Sequence, residues 1–264
     1  MAVLGKDEKT FGFTPTPESQ GKTVVFCGKE NKWRRPSMPP AISCIIPALN
    51  EAENLAQLLP QLLNYPELEI ILVDGGSTDS TKAIAQSYPI TLLTTTPSRA
   101  KQMNLGASQA QGEILLFLHA DTRLPLGFPE LICHACQLPG VVAGAFELKI
   151  AGDLTGLGWI AKLANWRSHW LQLPYGDQAL FLSQKNFQAV GGFPELPIME
   201  DFQFVRCLQK LGRIAILPQA ATTSGRRWQK FGLIQTTLLN QIVIAAFYLG
   251  VPPDTIAKWY RRGC

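Results

Sequence analysis

The stretch Glu113-Ile-Leu-Leu-Phe-Leu-His-Ala-Asp-Thr122 closes an apolar run with side chains able to hold a cation. Ile114 to Leu118 reads as a strand buried on both faces, and His119, Ala120, Asp121 and Thr122 form its C-terminal tip. In open α/β sheets ligands bind beyond the carboxyl ends of the strands, so Asp121 is placed to hold a divalent cation against a phosphate. Taken alone, the tip fits an ordinary Asp-Thr turn equally well. Two earlier tips carry related groups: Pro47-Ala-Leu-Asn50-Glu51, and Asp74-Gly75-Gly76-Ser77-Thr-Asp79. The Gly75-Gly76 pair lets backbone approach a ligand without obstruction by a Cβ.

The elements that must position these tips follow from the hydrophobic pattern. Strands are expected at 42–47, 69–74, 90–93 and 114–118, separated by helices at 50–63, 80–88 and 98–109. Asn50 can cap the first helix, with Glu53 three residues on as its capping-box partner, and Asp79 can cap the second. Such alternation predicts βαβ units in a mostly parallel sheet flanked by helices, so all three tips point to one edge. Beyond Asp121 the expected elements are a helix at 127–137, a strand at 141–148 and a Gly- and Trp-rich segment at 152–170. A strand at 178–182, a turn at 191–193, a helix at 200–211 and a strand at 213–217 follow.

Composition narrows the classes. Residues 1–40 hold seven Lys/Arg and four Asp/Glu, leaving 17 against 16 from residue 41 onward, so the excess positive charge belongs to the leader. A nearly neutral body argues against a nucleic-acid binder. The leader, 1–40, reads as disordered, with no apolar run long enough for a signal or an anchor, and Met38 is expected to start translation in the cell. The six scattered cysteines suit a reduced cytosolic compartment, and Cys133-His-Ala-Cys136 falls in a helix where packing is the expected role. His134 and His169 have no acidic partner at motif spacing and are expected to be structural. No P-loop or G-x-S-x-G sequence supports an NTPase or a hydrolase.

Residues 231–249 show an amphipathic helical pattern, with Thr236, Thr237, Asn240 and Gln241 on one face and Leu238, Leu239, Ile242, Ala245, Ala246 and Leu249 on another. The longest unbroken apolar run, Ile242 to Leu249, falls well short of the roughly twenty residues a membrane span needs. Basic residues Arg226, Arg227 and Lys230 precede the helix, and Lys258, Arg261 and Arg262 follow it. Segment 231–264 therefore suits a peripheral contact with an anionic membrane through 231–262, or equally a helix that covers the sheet or pairs in a dimer.

The three tips together resemble the nucleotide-sugar pocket of the family 2 glycosyltransferases, which carry P-x-x-N-E, D-[DG]-[GS]-S-x-D and D-x-D motifs in this order and at similar spacing. The resemblance covers roughly residues 42–230 and implies the GT-A α/β fold, with one domain over 41–230. It implies a nucleotide-diphospho-sugar donor, UDP- or GDP-linked, bound by Pro47, Asn50, Glu51, Asp74, Gly75, Gly76, Ser77 and Ala120, with Asp74 accepting from the base edge. The segment Arg99-Ala-Lys-Gln102-Met-Asn104 resembles the family's R-x-x-[AQ]-x-N helix, which implies Arg99 on the diphosphate, Asn104 on ribose or base, and Gln102 beside them. Asp121 keeps the family's metal carboxylate, while His119 replaces the usual first Asp. A bacterial subgroup with this HAD variant, the radical-SAM and selenodomain-associated transferase type related to diaponeurosporenoate glycosyltransferases, resembles the chain most. The cofactor implied is Mn²⁺ or Mg²⁺ on Asp121 and His119, and the imidazole tilts the preference to Mn²⁺.

On the acceptor side, Gly176-Asp177-Gln178 resembles the subgroup's GDQ, placed for sugar or acceptor. Glu200-Asp201 resembles the family's ED, which implies Asp201 as general base and Glu200 beside the sugar or acceptor. Arg226-Arg227-Trp228 resembles the family's Q/R-x-x-R-W segment, which implies an arginine on the diphosphate and Trp228 on sugar or lipid. The implied reaction is inverting transfer to a hydroxyl, carboxyl or phosphate acceptor, with lipid-linked acceptors among them, at the cytoplasmic face of the plasma membrane. The rivals are a nucleotidyltransferase, disfavoured because Pro47-Ala-Leu-Asn50-Glu51 stands where its Gly-rich basic loop belongs, and a non-catalytic membrane scaffold.

Overall fold

The computed structural model describes residues 41–262, so the readings of the leader and of a Met38 start lie outside the described residues. Four strands of the first half, β1 (Ile42–Ala48), β2 (Leu68–Asp74), β3 (Thr91–Thr94) and β4 (Ile114–Phe117), are parallel to one another. Helices α1 (Ala52–Leu62), α2 (Thr81–Gln86) and α3 (Arg99–Gln109) connect them. Along β1 the side chains alternate between two cores, Ile45 joining one and Cys44 and Ile46 the other. This is what an unbroken apolar run means: both faces of the strand are covered.

The second half completes an eight-stranded sheet in the order β3-β2-β1-β4-β7-β6-β8-β5. Here β5 is Thr122–Arg123, β6 Val141–Ala151, β7 Phe181–Ser183 and β8 Arg213–Ser224. β7 is antiparallel to both β4 and β6, and β5 is antiparallel to β8. The sheet is mostly parallel as expected, β1–β2, β1–β4, β2–β3 and β6–β8 pairing in parallel, and β5 and β7 make it mixed. β7 reverses because residues 175–178 already lie at the crevice edge, so the chain can only run away from it.

The Gly- and Trp-rich segment becomes helix α5 (Leu157–Leu171), preceded in the chain by α4 (Phe128–Gln137) and followed by the short α6 (Gln184–Ala189) and α7 (Glu200–Leu208). The C-terminal segment forms α8 (Arg226–Phe231), α9 (Leu233–Tyr248) and α10 (Pro253–Arg262). α9 does cover the core, with Val243 and Ala246 buried, but Thr236 from the expected polar face is buried too, and Leu238, Ile242 and Leu249 face out. The CxxC lies on α4 against the core, where burial raises both thiols above their ordinary range, Cys136 to about 11.

Helix α3 seats on β1 at Gly106, where a Cβ would run into Cγ2 of the fully buried Ile45. Gly106→Val should overpack this contact and lower stability by about 1–3 kcal/mol. A fall in the urea midpoint checks it, and an unchanged midpoint would show that α3 does not seat there.

Candidate functional site

The parallel register brings the ends of β1 and β2 side by side, and polar side chains stitch them together. Asn50 takes a left-handed conformation (φ 56°), and its Oδ1 accepts from the amide of Thr78 at 2.9 Å, while its own amide donates to Ser77 Oγ at 2.8 Å. Asn50 therefore does not cap α1. That task falls to Asp79, whose Oδ2 accepts from Ala52 N at 3.2 Å and whose Oδ1 accepts from Thr81 N at 2.9 Å. One carboxylate serves the first turns of two helices, which suits a negative charge at helix N-termini. Asp74 is fully buried; its oxygens accept from the amides of Gly76 and Ser77 and face Lys82 Nζ at 3.4 Å. Burial works against its charge, but the hydrogen bonds and Lys82 prevail and hold its pKa below the usual range.

Several residues expected at the nucleotide or acceptor make hydrogen bonds within the protein. Asp74, expected to reach a base edge, builds its own turn. Gln102 is buried and donates from Nε2 to Ala48 O and Val73 O, closing the ends of β1 and β2. Asn104 exchanges two hydrogen bonds with the backbone of Phe193, at 2.8 and 2.9 Å. Gln178, expected at sugar or acceptor, is buried between Phe146 O, Ser168 Oγ and the Tyr175 amide. Gln102 and Gln178 meet buried backbone carbonyls, and leaving such groups short of partners costs more than one exposed contact returns. Trp228 packs beside Leu148, Ile150 and Leu157, and Arg227 stacks on Tyr260 at 4.0 Å; both lean on the C-terminal helices and α5.

What remains in the crevice is a concentrated set of charges. The β4 tip turns at His119–Thr122, where Thr122 N donates to His119 O at 3.0 Å. Beside it, Gly176 N donates to Asp201 Oδ2 at 2.9 Å, and a Cβ at Gly176 would stand 3.0 Å from His119 Nε2 and 3.4 Å from Asp201 Oδ2. The imidazole of the β4 tip and the carboxylate of α7 thus face each other across one glycine. Asp201 Oδ1 also accepts from Phe202 N at 2.7 Å, so two amides fix its orientation. Arg226 reaches back from α8 to Glu51 at 3.3 Å and Asp121 at 3.4 Å, and Arg99 approaches Glu200 at 3.7 Å. Both guanidinium groups are more than half exposed and can meet an incoming anion.

Burial and, to a lesser degree, Arg99 push His119 down to about 3, so its imidazole is neutral at any physiological pH. Burial and neighbouring Asp201 raise Glu200, against the pull of Arg99. Asp177 is pushed up to about 6 by burial, with Arg167 opposing and Asp201 and Asp121 adding repulsion; its Oδ1 is shielded from solvent without a hydrogen-bond partner. A neutral imidazole and a carboxylate are donor types a divalent cation can use, Mn²⁺ more readily than Mg²⁺. Among the described residues no cluster of three or more His, Cys, Asp or Glu could hold an ion alone, so phosphate oxygens and water would have to complete its shell.

Arg167 and Lys82 were not legible as site residues. Arg167 stacks on Tyr175 at 3.5 Å and is the cation facing Asp177, yet no motif marks it. Lys82, near the DGGSTD turn, was the more readable signal. His169, read as structural because no acidic residue stands at motif spacing, pairs with Glu147 at 2.9 Å.

The family model described as Glycosyl transferase family 2 matches residues 43–190. The glycosyltransferase AglE of Haloferax volcanii is 36% identical over 93 residues, which is 31% of this chain and 31% of that protein. Dolichyl-phosphate beta-glucosyltransferase of Drosophila melanogaster is 32% identical over 141 residues, 46% of this chain and 40% of its own length. The chain therefore matches well under half the length of either relative. Among solved structures, S. aureus TarS in complex with UDP-GlcNAc superposes with a TM-score of 0.56 at 21% identity, covering 69% of this chain and 58% of that one. PcManGT from Pyrobaculum calidifontis, in complex with GDP-Man and Mn²⁺, gives 0.55 at 20% identity, covering 85% and 70%. The shared fold is GT-A.

The state of Asp177 has a consequence for stability. Its folded pKa of about 6 lies above its ordinary 3.8, so the folded state holds this proton more tightly than the unfolded one. Stability from this group is fully present below the ordinary value and is lost as pH rises through about 6. Asp177→Asn should raise the urea midpoint relative to the unaltered protein at pH 8, with the gain shrinking towards pH 4. A pH-independent difference would contradict the buried-carboxylate account.

Proposed function

The chain belongs to glycosyl transferase family 2, whose model covers more than half of its 264 residues, and from that premise we propose an inverting, metal-dependent transfer of sugar from a nucleotide diphosphate. The observation that carries this reading is the Gly176 junction, where His119 of the β4 tip meets Asp201 of α7. A donor's diphosphate would lie on the Asp121 side and the acceptor on the Asp201 side, with the anomeric carbon between.

Glu51, Gly75, Gly76 and Ser77 would line the donor, while Arg99 and Arg226 would bind its diphosphate by charge-assisted hydrogen bonds. Asp121 and His119 would hold Mn²⁺ or Mg²⁺, which supplies Lewis-acid neutralisation of the departing diphosphate. Where the acceptor is a hydroxyl, Asp201 takes its proton as the acceptor oxygen attacks the anomeric carbon, whereas an ionised carboxyl or phosphate attacks directly. The bond from that carbon to the diphosphate oxygen breaks, its electron pair leaves with the nucleotide, and the configuration inverts. Asp177, with its unpartnered oxygen, would accept from a sugar or acceptor hydroxyl, and Glu200 would keep Arg99 in position.

The donor is UDP- or GDP-linked, as the ligands named with TarS and PcManGT suggest. The acceptor is a hydroxyl, carboxyl or phosphate, and a lipid phosphate is favoured by the dolichyl-phosphate glucosyltransferases among the relatives. No described helix is long and apolar enough to cross a membrane, so contact with the cytoplasmic face would be peripheral, through 231–262.

Asp201→Asn should retain thermal stabilisation by nucleotide diphosphate but lose transfer about 10²–10⁴-fold; undiminished transfer would remove Asp201 from the base role. Mn²⁺ should increase the stabilisation that UDP or GDP confers. In Asp121→Ala that increment should vanish, and an intact protein indifferent to the metal would refute the assignment.

A further inference from the structure

Helix α5 lies on β6 in a fixed rotation. Leu157, Ala161 and Ser168 are buried beneath it, and the Asn165 side chain exchanges two hydrogen bonds with the Leu148 backbone, at 2.7 and 3.1 Å. The opposite side then has no freedom to turn inward. It carries Trp159, Leu163, Trp166 and Trp170, at i, i+4, i+7 and i+11, which form one stripe of a helix. These side chains are 71%, 65%, 57% and 74% exposed. Single exposed apolar residues are ordinary, whereas four large ones in one stripe mark an interaction surface.

A second stripe runs along α9. Ile234, Leu238, Ile242 and Leu249 are 80%, 58%, 47% and 84% exposed. The two helices meet at their starts, where Leu233 packs with Leu157 and Ala161 and its Cδ2 lies 2.9 Å from the point a Cβ on Gly156 would take. Residues 157–171 and 226–248 contain five Lys/Arg and no Asp or Glu. Arg167 and Arg226 turn to the crevice, but Lys162 and Lys230 remain exposed, each over an aromatic ring at 5.0 Å, Trp159 and Phe231 respectively.

We propose that the α5 tryptophan stripe, with the outer face of α9, docks on an anionic phospholipid surface. Tryptophan favours the boundary between headgroups and acyl chains, and lysines beside it complement lipid phosphates. A second copy of the chain fits less well, because these segments offer no acidic side chain to meet their own lysines. The surface extends the C-terminal contact proposed above to an element outside that segment. α5 is also tied to the acceptor side: Ser168 Oγ and Arg167 donate to Gln178 Oε1, at 2.8 and 3.4 Å, next to Asp177. Docking through α5 would therefore present the crevice to a lipid-embedded acceptor.

The test needs no transferase activity, so it stands or falls apart from the catalytic reading. The full chain is sedimented with phosphatidylcholine vesicles, with and without phosphatidylglycerol, and compared with Trp159→Ser/Trp166→Ser/Trp170→Ser and with Lys162→Ser/Lys230→Ser. The unaltered chain should bind the anionic vesicles, and the triple variant should bind them at least about tenfold more weakly with an unchanged melting temperature. The lysine variant should lose its preference for phosphatidylglycerol. Absence of vesicle binding, or equal binding by the triple variant, overturns the proposal. So does a dimer in sedimentation velocity that the tryptophan substitutions dissolve without any lipid binding.

Discussion

Strands that end side by side at a ligand crevice create a difficulty: their last carbonyls are buried, yet the edge must stay open. The side chain of Gln102 resolves it from below, with one amide nitrogen donating to the carbonyls of Ala48 and Val73. Asp79, Asn50 and Thr81 complete the closure above by taking the amides of the neighbouring loop. Everything that faces the crevice depends on this closure, because it fixes the first two tips without using the space in front of them.

A second condition is charge. Glu51, Asp121, Asp177, Glu200 and Asp201 converge on one small region, and mutual repulsion would open it if they stood alone. Arg226, Arg99 and Arg167 each oppose part of the set. The compensation is uneven: Asp177 keeps an oxygen without a partner, and its carboxyl titrates far higher than usual. A ligand that brings hydroxyl donors or a cation would relieve this imbalance, so the electrostatics that weaken the empty crevice favour its occupation.

The first half was legible in the sequence because β1, β2 and β4 are covered on both faces and their apolar runs stop abruptly at polar tips. The second half was less so. The long strands β6 and β8 were read several residues short, because their far ends lack a clear apolar run: Lys149 interrupts β6, and the end of β8, Pro218 to Ser224, is made of small and polar residues. Helix α5 was not read as a helix, since its tryptophans point outward and invert the pattern that marks a buried face. At the site, motif spacing singled out strand tips that the fold brings to one edge but could not say which polar side chain faces the crevice. Gln102, Asn104 and Gln178 stand in the right stretches, yet they are consumed by buried backbone groups whose position is known only once the chain is folded.

The two-residue strand β5 has a further implication. Thr122 and Arg123 follow Asp121 directly, and they pair with Thr223 and Thr222 at the end of the last strand. The loop that would hold the metal is thus clasped by residues about a hundred positions downstream, and Asn104 is likewise held by Phe193. During synthesis the first half can collapse onto its own core long before these partners leave the ribosome. Its donor crevice must wait for them, because contacts so distant in sequence form only after the intervening loop has been closed. A nascent or truncated chain that looks folded by its helices would therefore lack a formed crevice.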